Sequence, residues 1–359
     1  DLNGDTNPDI ATANVNGNNV SVLLGNGGGT FQTAVNYGAG AGPYSVAIAD
    51  LNGDTNPDIA TANVSGNNVS VLLGTGDGTF QTAVNYGAGD GPISVAIADL
   101  NGDTNPDIAT ANYTGDNVSV LLGNGDGTFQ DAVNYDTGDG SDSVAIGDLD
   151  GDGKPDLATA NWFGDNVSVL LGNGDGTFQT AVNYGAGDGP IFVAIADLNG
   201  DINPDIATAN VSGNNVSVLL NSMGVTSGAG WSQVNTDGFG DALNYSAYRM
   251  AAVNSHVYVG IWGDEGAKVM EYDGTIWSDI TPSWDTSNAG VNSLAVLDGR
   301  LYAGTYRTGG AEVWEYYSSS WNQVNADGFG DSSIYAVDSM EVLRGSRCGN
   351  TLVGQPGIR

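Results

Sequence analysis

The chain has 359 residues, 56 of them Gly, and only 14% are charged, yet 42 Asp and Glu against 8 Lys and Arg leave a formal net charge of -34. Such an excess of negative charge repels phosphate backbones and excludes nucleic acid as a partner, and no apolar run approaches the ~20 residues that span a bilayer, so membrane insertion is not expected. A single His (His256) and a single Cys (Cys348) exclude a His/Cys zinc site, a disulfide framework and a thiol–imidazole site with a second His.

The acidity does not signal disorder, because 40% of the residues are hydrophobic and regularly placed. The acids are unevenly chosen: from Asp1 to Asn221 there are 27 Asp and no Glu, Arg, His or Cys, and the one cation is Lys154. Asp-Leu-Asn-Gly-Asp starts at Asp1, Asp50, Asp99 and Asp197, and Asp-Leu-Asp-Gly-Asp at Asp148, a step of 49 residues each time. Within a unit, an alternating segment (45–49) precedes the acidic loop. Three more segments follow at 58–63, 68–73 and 80–86, each short, β-branched or aromatic, and bounded by Gly/Asn/Asp turns. This predicts four strands per unit, with no helical period. Four antiparallel strands in roughly 45–50 residues, repeated, describe a propeller blade.

Past Asn221 the copy changes. The run Trp-x-Gln-Val-Asn-x-Asp-Gly-Phe-Gly-Asp at Trp231 returns at Trp321, a looser copy starts at Trp277, 257–260 matches 301–304, and 269–272 matches 313–316. These predict two blades of a second type. The chain starts inside an acidic loop, so blade one lacks its first strand, and 334–342 matches the first-strand segment 248–253 without strands of its own to follow. The expected fold is therefore all-β: one seven-bladed propeller of four-stranded antiparallel blades over 1–344. Residues 1–221 form five units, and 222–344 form two more plus a strand that closes the ring on blade one. A five-bladed ring with a separate domain would leave a sheet edge exposed. The tail 345–359, with Arg347, Cys348 and Arg359, matches neither repeat and is expected to be unstructured. Without an initiator Met or a signal peptide, the chain is expected to be a fragment or a processed form.

Each acidic loop follows Asp-x-Asn/Asp-x-Asp-x-x-x-Asp. The sets are Asp1, Asn3, Asp5, Asp9; Asp50, Asn52, Asp54, Asp58; Asp99, Asn101, Asp103, Asp107; Asp148, Asp150, Asp152, Asp156; and Asp197, Asn199, Asp201, Asp205. Calcium takes six to eight oxygens in a flexible shell. Side chains at positions 1, 3 and 5 of a tight coil can converge, position 7 can add a carbonyl, and a carboxylate at position 9 closes the shell. A single such loop is equally a solvated turn without metal; five at constant spacing favour calcium, up to five ions.

The 49-residue units resemble FG-GAP/VCBS repeats, the calcium-loop blades also seen in integrin α-subunit propellers, over Asp1 to about Leu220. The later units are similar to kelch-like bacterial propeller repeats. The resemblance implies a calcium-loop propeller acting outside the cell. That family's loop carries Gly at position 6; here only the fourth copy keeps it, as Gly153, and the others hold Thr6, Thr55, Thr104 and Ile202. Where that position needs positive φ a β-branched residue is strained, so the fourth loop is expected to bind best and the fifth worst.

The Gly-rich segment 123–129 joins strands, which makes it a hairpin turn and not a phosphate cradle. Asn-Val-Ser at Asn19, Asn68, Asn117, Asn166 and Asn215 fits a glycosylation pattern but lies at strand starts in a copied unit. In a four-strand meander the acidic and Gly-rich loops share one face, and the copies diverge most on the other. Tyr44, Tyr113, Trp162, Phe163 and Phe192 fall there and make a candidate contact surface, with drift in loops as the plain alternative. The expectation is a calcium-binding extracellular adhesion or ligand-binding module, on or from a bacterial surface. It would be a monomer or part of a larger surface protein, taking a protein or glycan ligand on the face opposite the calcium loops. The alternative is a lectin or a polysaccharide lyase or hydrolase. The balance lies against an enzyme, because His256, Arg249, Glu265, Glu271 and Glu315 are scattered and form no catalytic set.

Overall fold

A computed structural model describes residues 1–28, 30–221, 232–233, 244–253, 256–263, 266–273, 276–284, 287–297, 300–307, 310–317, 319–324 and 337. The sequence repeat appears as a repeat of antiparallel sheets. The second unit is a four-strand meander of Pro43–Ala49, Asp58–Asn63, Asn68–Leu72 and Val84–Gly87. The third (Pro92–Ala98 to Val133–Asp136) and fourth (Ser141–Gly147 to Val182–Gly185) copy it strand for strand. The first unit has three strands, Ile10–Asn14, Asn19–Leu23 and Val35–Gly38, and the fifth ends on the two-residue strand Ser232–Gln233. Among the described residues the only helical element is the three-residue turn Val15–Gly17.

Two strands differ from their sequence expectation. The first starts at Pro43 and carries a bulge: the register jumps from Pro43 to Ser45, leaving Tyr44 unpaired, as it does at Ile93, Asp142 and Ile191. The fourth is shorter than 80–86. Phe80 makes only an isolated bridge to Gly74, and regular pairing resumes at Val84.

The cores lie between units, not within them. Leu2, Ala11, Val20 and Val22 of the first unit pack on Val46, Ile48, Ile59 and Leu72 of the second. The same arrangement recurs at each later junction up to that of the sixth and seventh units. A lone unit therefore cannot bury its apolar faces, the physical reason such repeats occur in arrays. Neighbouring first strands are also stitched: Ser45, Ser94 and Ser143 Oγ accept the N–H of Val95, Val144 and Val193, each at 3.3 Å. Tyr37, Tyr86 and Tyr135 set their rings edge-on to Phe80, Phe129 and Phe178 of the next unit.

Inside each of the first four units a polar chain ties three strands together. Asn63 Nδ2 donates to Asn68 Oδ1 (2.7 Å) and Ser70 Oγ (2.8 Å), and Ser70 Oγ donates to Asn85 Oδ1 at 2.7 Å. Asn68 Nδ2 donates to Gly66 O at 2.8 Å. The Asn-Val-Ser triplets are thus parts of this network, which gives their Asn a structural role.

The last two units are the meanders Asn244–Val253 to Trp277–Asp279 and Asn288–Leu297 to Ser320–Gln323, joined into one sheet by a single bridge between Trp262 and Gly290. His256 begins a second strand and stacks on Tyr258. The expected closing strand 334–342, the Trp231 motif's start and the tail 345–359 lie outside the described residues, apart from Val337. Val337 is buried against Ala311 and Val313, and its carbonyl accepts from Ser293 Oγ at 2.8 Å. A narrow, mostly apolar crevice is lined by Pro8, Asp9, Ile10 and Phe31 from the first unit and Tyr302, Val313 and Val324 from the last.

Replacing Asn161 by Ala removes the amide that bridges Asn166 Oδ1 and Ser168 Oγ in a fully buried setting. The expected loss is about 1–3 kcal/mol, read as a lower urea midpoint at unchanged slope. Val182→Thr, at an exposed edge position, is expected to stay within about 0.5 kcal/mol.

Candidate metal loops and contact face

The acidic loops are coiled by their own side chains. In the second, Asp50 Oδ1 accepts the N–H of Gly53 and Asp54 and Oδ2 that of Thr55, while Asn52 Oδ1 accepts Asp54 N–H and Asp54 Oδ1 accepts Asn56 N–H. The other loops hold nearly the same set. The carboxylate at position 9 is different. Asp58 is fully buried and accepts Leu51 N–H at 2.8 Å on one oxygen and Gly74 N–H at 2.7 Å on the other. Asp9, Asp107, Asp156 and Asp205 do the same. Burial pushes the Asp58 and Asp107 carboxyls up to about 6, against the pull of their two backbone donors.

The donor set suits a hard cation in the fourth loop above all. There Asp148, Asp150 and Asp156 each present an oxygen within 4.8 Å of the others, the one such group among the described residues. In the other loops Asn stands at position 3 and gives its amide N–H to the position 5 carboxylate, as Asn52 does to Asp54 at 3.2 Å. One partner was not legible in the spacing. Lys154, at position 7 of the fourth loop, ion-pairs with Asp152 at 2.6 Å, so that carboxylate is already neutralised.

Position 6 has positive φ in every loop: Thr6 72°, Thr55 72°, Thr104 74°, Ile202 78° and Gly153 81°. The cause is local, because the N–H at position 6 must turn back onto the position 1 carboxylate, as Thr55 does to Asp50 at 2.8 Å and Gly153 to Asp148 at 2.9 Å. A β-branched residue is strained there, and Ile202 is also 73% exposed.

On the opposite face the structure brings together three of the five candidate aromatics. Tyr113 lies 6.2 Å from Trp162 and 5.5 Å from Phe163, ring centre to ring centre. Phe163 is 65% exposed. Phe192 instead packs on the core between the fifth and sixth units, and Tyr44 is a half-buried bulge residue outside the cluster. Beside the aromatics is a groove of about 310 Å³ lined by Trp162, Phe163, Asp165, Asp188, Gly189 and Ser212. Its acids were missed in the sequence, although the alignment of copies holds the signal: the position of Asp165 is Asn in three units. Asp142, at the bulge position, has its carboxyl pushed up to about 7 by burial, with Arg249 pulling the other way.

The FG-GAP-like repeat model matches the chain four times, over residues 1–61, 50–110, 99–159 and 148–208. No curated protein matches the sequence. Among solved structures, the chain is similar to a putative 6-phosphogluconolactonase from Bacteroides uniformis, with a TM-score of 0.67, 13% identity, and 94% of this chain and 100% of that one covered. It is similar to a periplasmic gluconolactonase of Pseudomonas aeruginosa, at TM-score 0.66 and 12% identity over 94% and 99%. It is also similar to an Agrocybe aegerita lectin that recognises non-reducing terminal N-acetylglucosamine, at TM-score 0.62 and 20% identity over 94% of both chains. At these identities the likeness is one of fold.

Ile202→Gly is expected to raise stability by about 1 kcal/mol through relief of the left-handed backbone, and Gly153→Ile to lower it, both read by urea unfolding of the metal-free protein. For pH the sign follows from the raised carboxyls. The folded state holds protons on Asp58 and Asp107 up to about 6, whereas the ordinary value is 3.8. Their contribution is full below that ordinary value and is lost as pH rises to about 6. Urea midpoints of the metal-free protein taken across that window check it.

Proposed function

We propose that this chain, which belongs to the FG-GAP-like repeat family, is a calcium-clipped binding propeller that works outside the cell. The observation that carries the metal is the fourth loop, where three carboxylate oxygens gather within 4.8 Å and Gly153 takes the left-handed backbone without strain. Calcium would be held there by Asp148, Asp150 and Asp156, with Asp152 released from Lys154, and by the matching residues of the other four loops. Its chemistry is that of a clip: it neutralises the clustered carboxylates and holds each loop against the strand that follows. Seven blades closed on the first account for the crevice shared by the two ends and for the burial of Val337 beside the seventh unit. The two kelch-like units then complete the ring.

The partner surface is the face opposite the loops, where Tyr113, Trp162 and Phe163 form one aromatic strip. A protein ligand and adhesion fit that strip. A glycan is the second reading, because rings held at the rim of an open groove can stack on a sugar face.

Calcium titration with thermal melting tests the clip. Each site filled to 100 times its Kd adds about 2.7 kcal/mol, so chelation is expected to lower the Tm, and Asp148→Ala to remove the tightest site. A melt unmoved by chelator, with no metal bound by elemental analysis, would overturn it. A glycan array against wild type and Trp162→Ala tests the second reading.

A further inference from the structure

We propose that the groove between the fourth and fifth units binds a basic side chain of a partner protein, which rests on the contact-face reading above and names its ligand. The array supplies its own controls. In the second unit the turn residue Asn67 donates its amide to Asp90 of the following connection at 2.9 Å. One step on, the same two positions hold Asp116 and Asp139, and at the groove they hold Asp165 and Asp188. The amide that answers the acid has become a second carboxylate. Asp165 keeps the structural half of the role, accepting Gly189 N–H at 2.8 Å as Asn67 accepts Gly91 N–H at 3.0 Å. Asp165 and Asp188, both exposed, line the groove.

Of the two junctions that pair two acids, only this one lacks a bulky side chain over its connection. At the preceding junction Phe163 lies against Gly140, close enough that a Cβ there would meet the ring at 2.9 Å. At this junction the equivalent residue is Ser212. The result is a recess walled by Trp162 and Phe163 with two carboxylates beside it. A cation over aromatic faces and against carboxylates gains from both, and a neutral sugar would leave two like charges adjacent. The net charge of -34 draws basic partners toward the surface at low salt. The aromatic strip continues from the groove to Tyr113, which gives a peptide flanking the basic residue something to lie on. A free small cation would leave that strip unused.

Titrate the full chain, in excess calcium and low salt, with acetyl-trilysine amide, spermidine and N-acetylglucosamine by calorimetry. The double variant Asp165→Asn/Asp188→Ala copies what the array already tolerates, Asn18 and Ala41, and so keeps the fold. Saturable peptide binding that weakens about tenfold in that variant and again on Trp162→Ala, and fades at high salt, is the expected result. Absence of peptide binding, or binding indifferent to the double variant, overturns the inference. So does spermidine binding as tight as the peptide. N-acetylglucosamine binding lost on Trp162→Ala but unchanged in the double variant overturns the basic ligand and leaves the contact face standing. Calcium-dependent melting is read in parallel, so failure of the clip is seen separately.

Discussion

At the ninth position of each acidic loop a buried carboxylate gives both its oxygens to backbone N–H groups, and the neighbouring elements hang from those two bonds. Asp58 holds Leu51 of its own loop and Gly74 at the foot of the Gly-rich hairpin. Leu51 passes the constraint on, since its carbonyl accepts from Gly127 of the third unit at 3.2 Å, just as Leu2 accepts from Gly78 and Leu100 from Gly176. Unit, loop and next unit are thus coupled through one side chain. The fifth unit shows how tightly this is required. Its sequence lacks the Gly-rich segment, yet Asn221 stands at the Gly74 position, gives its backbone N–H to Asp205, and reaches with its side chain to Leu149 O at 2.6 Å. One residue restores both bonds.

Because every core is shared by two units, each blade must suit a neighbour on both sides, one through each face of its strands. Identity is the simplest solution, and the Ala-Thr-Ala-Asn and Asn-Val-Ser runs recur unchanged in all five 49-residue units. The turns on the face away from the acidic loops carry no such double constraint. Val15, Val64, Tyr113, Trp162 and Val211 differ at one position without disturbing the strands that flank them. A bulge at Tyr44, Ile93, Asp142 and Ile191 releases a second position from ladder pairing and lets its side chain vary as well.

The strands were legible because their signal is local: alternation, β-branching and bounding turns. The positive φ at position 6 was signalled by the Gly that the resembling repeats carry there, kept here as Gly153, and not by the spacing of the acids. The bonds that bolt position 9 were not, because Gly74 lies 16 residues from Asp58 and nothing in the spacing says which N–H a carboxylate will meet. Lys154 was noticed as a lone cation, but its pairing with Asp152 is a side-chain matter. Phe192 was assigned to the contact face by its place in the repeat. It packs inward because the unit after it has a different sequence and offers Met250 and Ala247 to cover. The groove acids needed a comparison across junctions, where the meaning of Asp165 comes from the Asn it replaces.

The strain at position 6 and the burial at position 9 act on the same loop in the same direction. The position 1 carboxylate fixes the left-handed residue through its N–H, so Thr55 or Ile202 cannot relax without releasing Asp50 or Asp197. At neutral pH the buried charge of Asp58 or Asp107 adds to the burden, and the carboxylates at positions 5 and 1 of its loop push its carboxyl further up. A divalent cation would offset the second effect in every loop but leave the first untouched, because strain belongs to the backbone and not to the charge. Loops of one shape therefore differ in strain before any metal is considered. The fourth, with Gly153, is relaxed before any ion arrives, and the fifth, with Ile202, holds the same coil under strain.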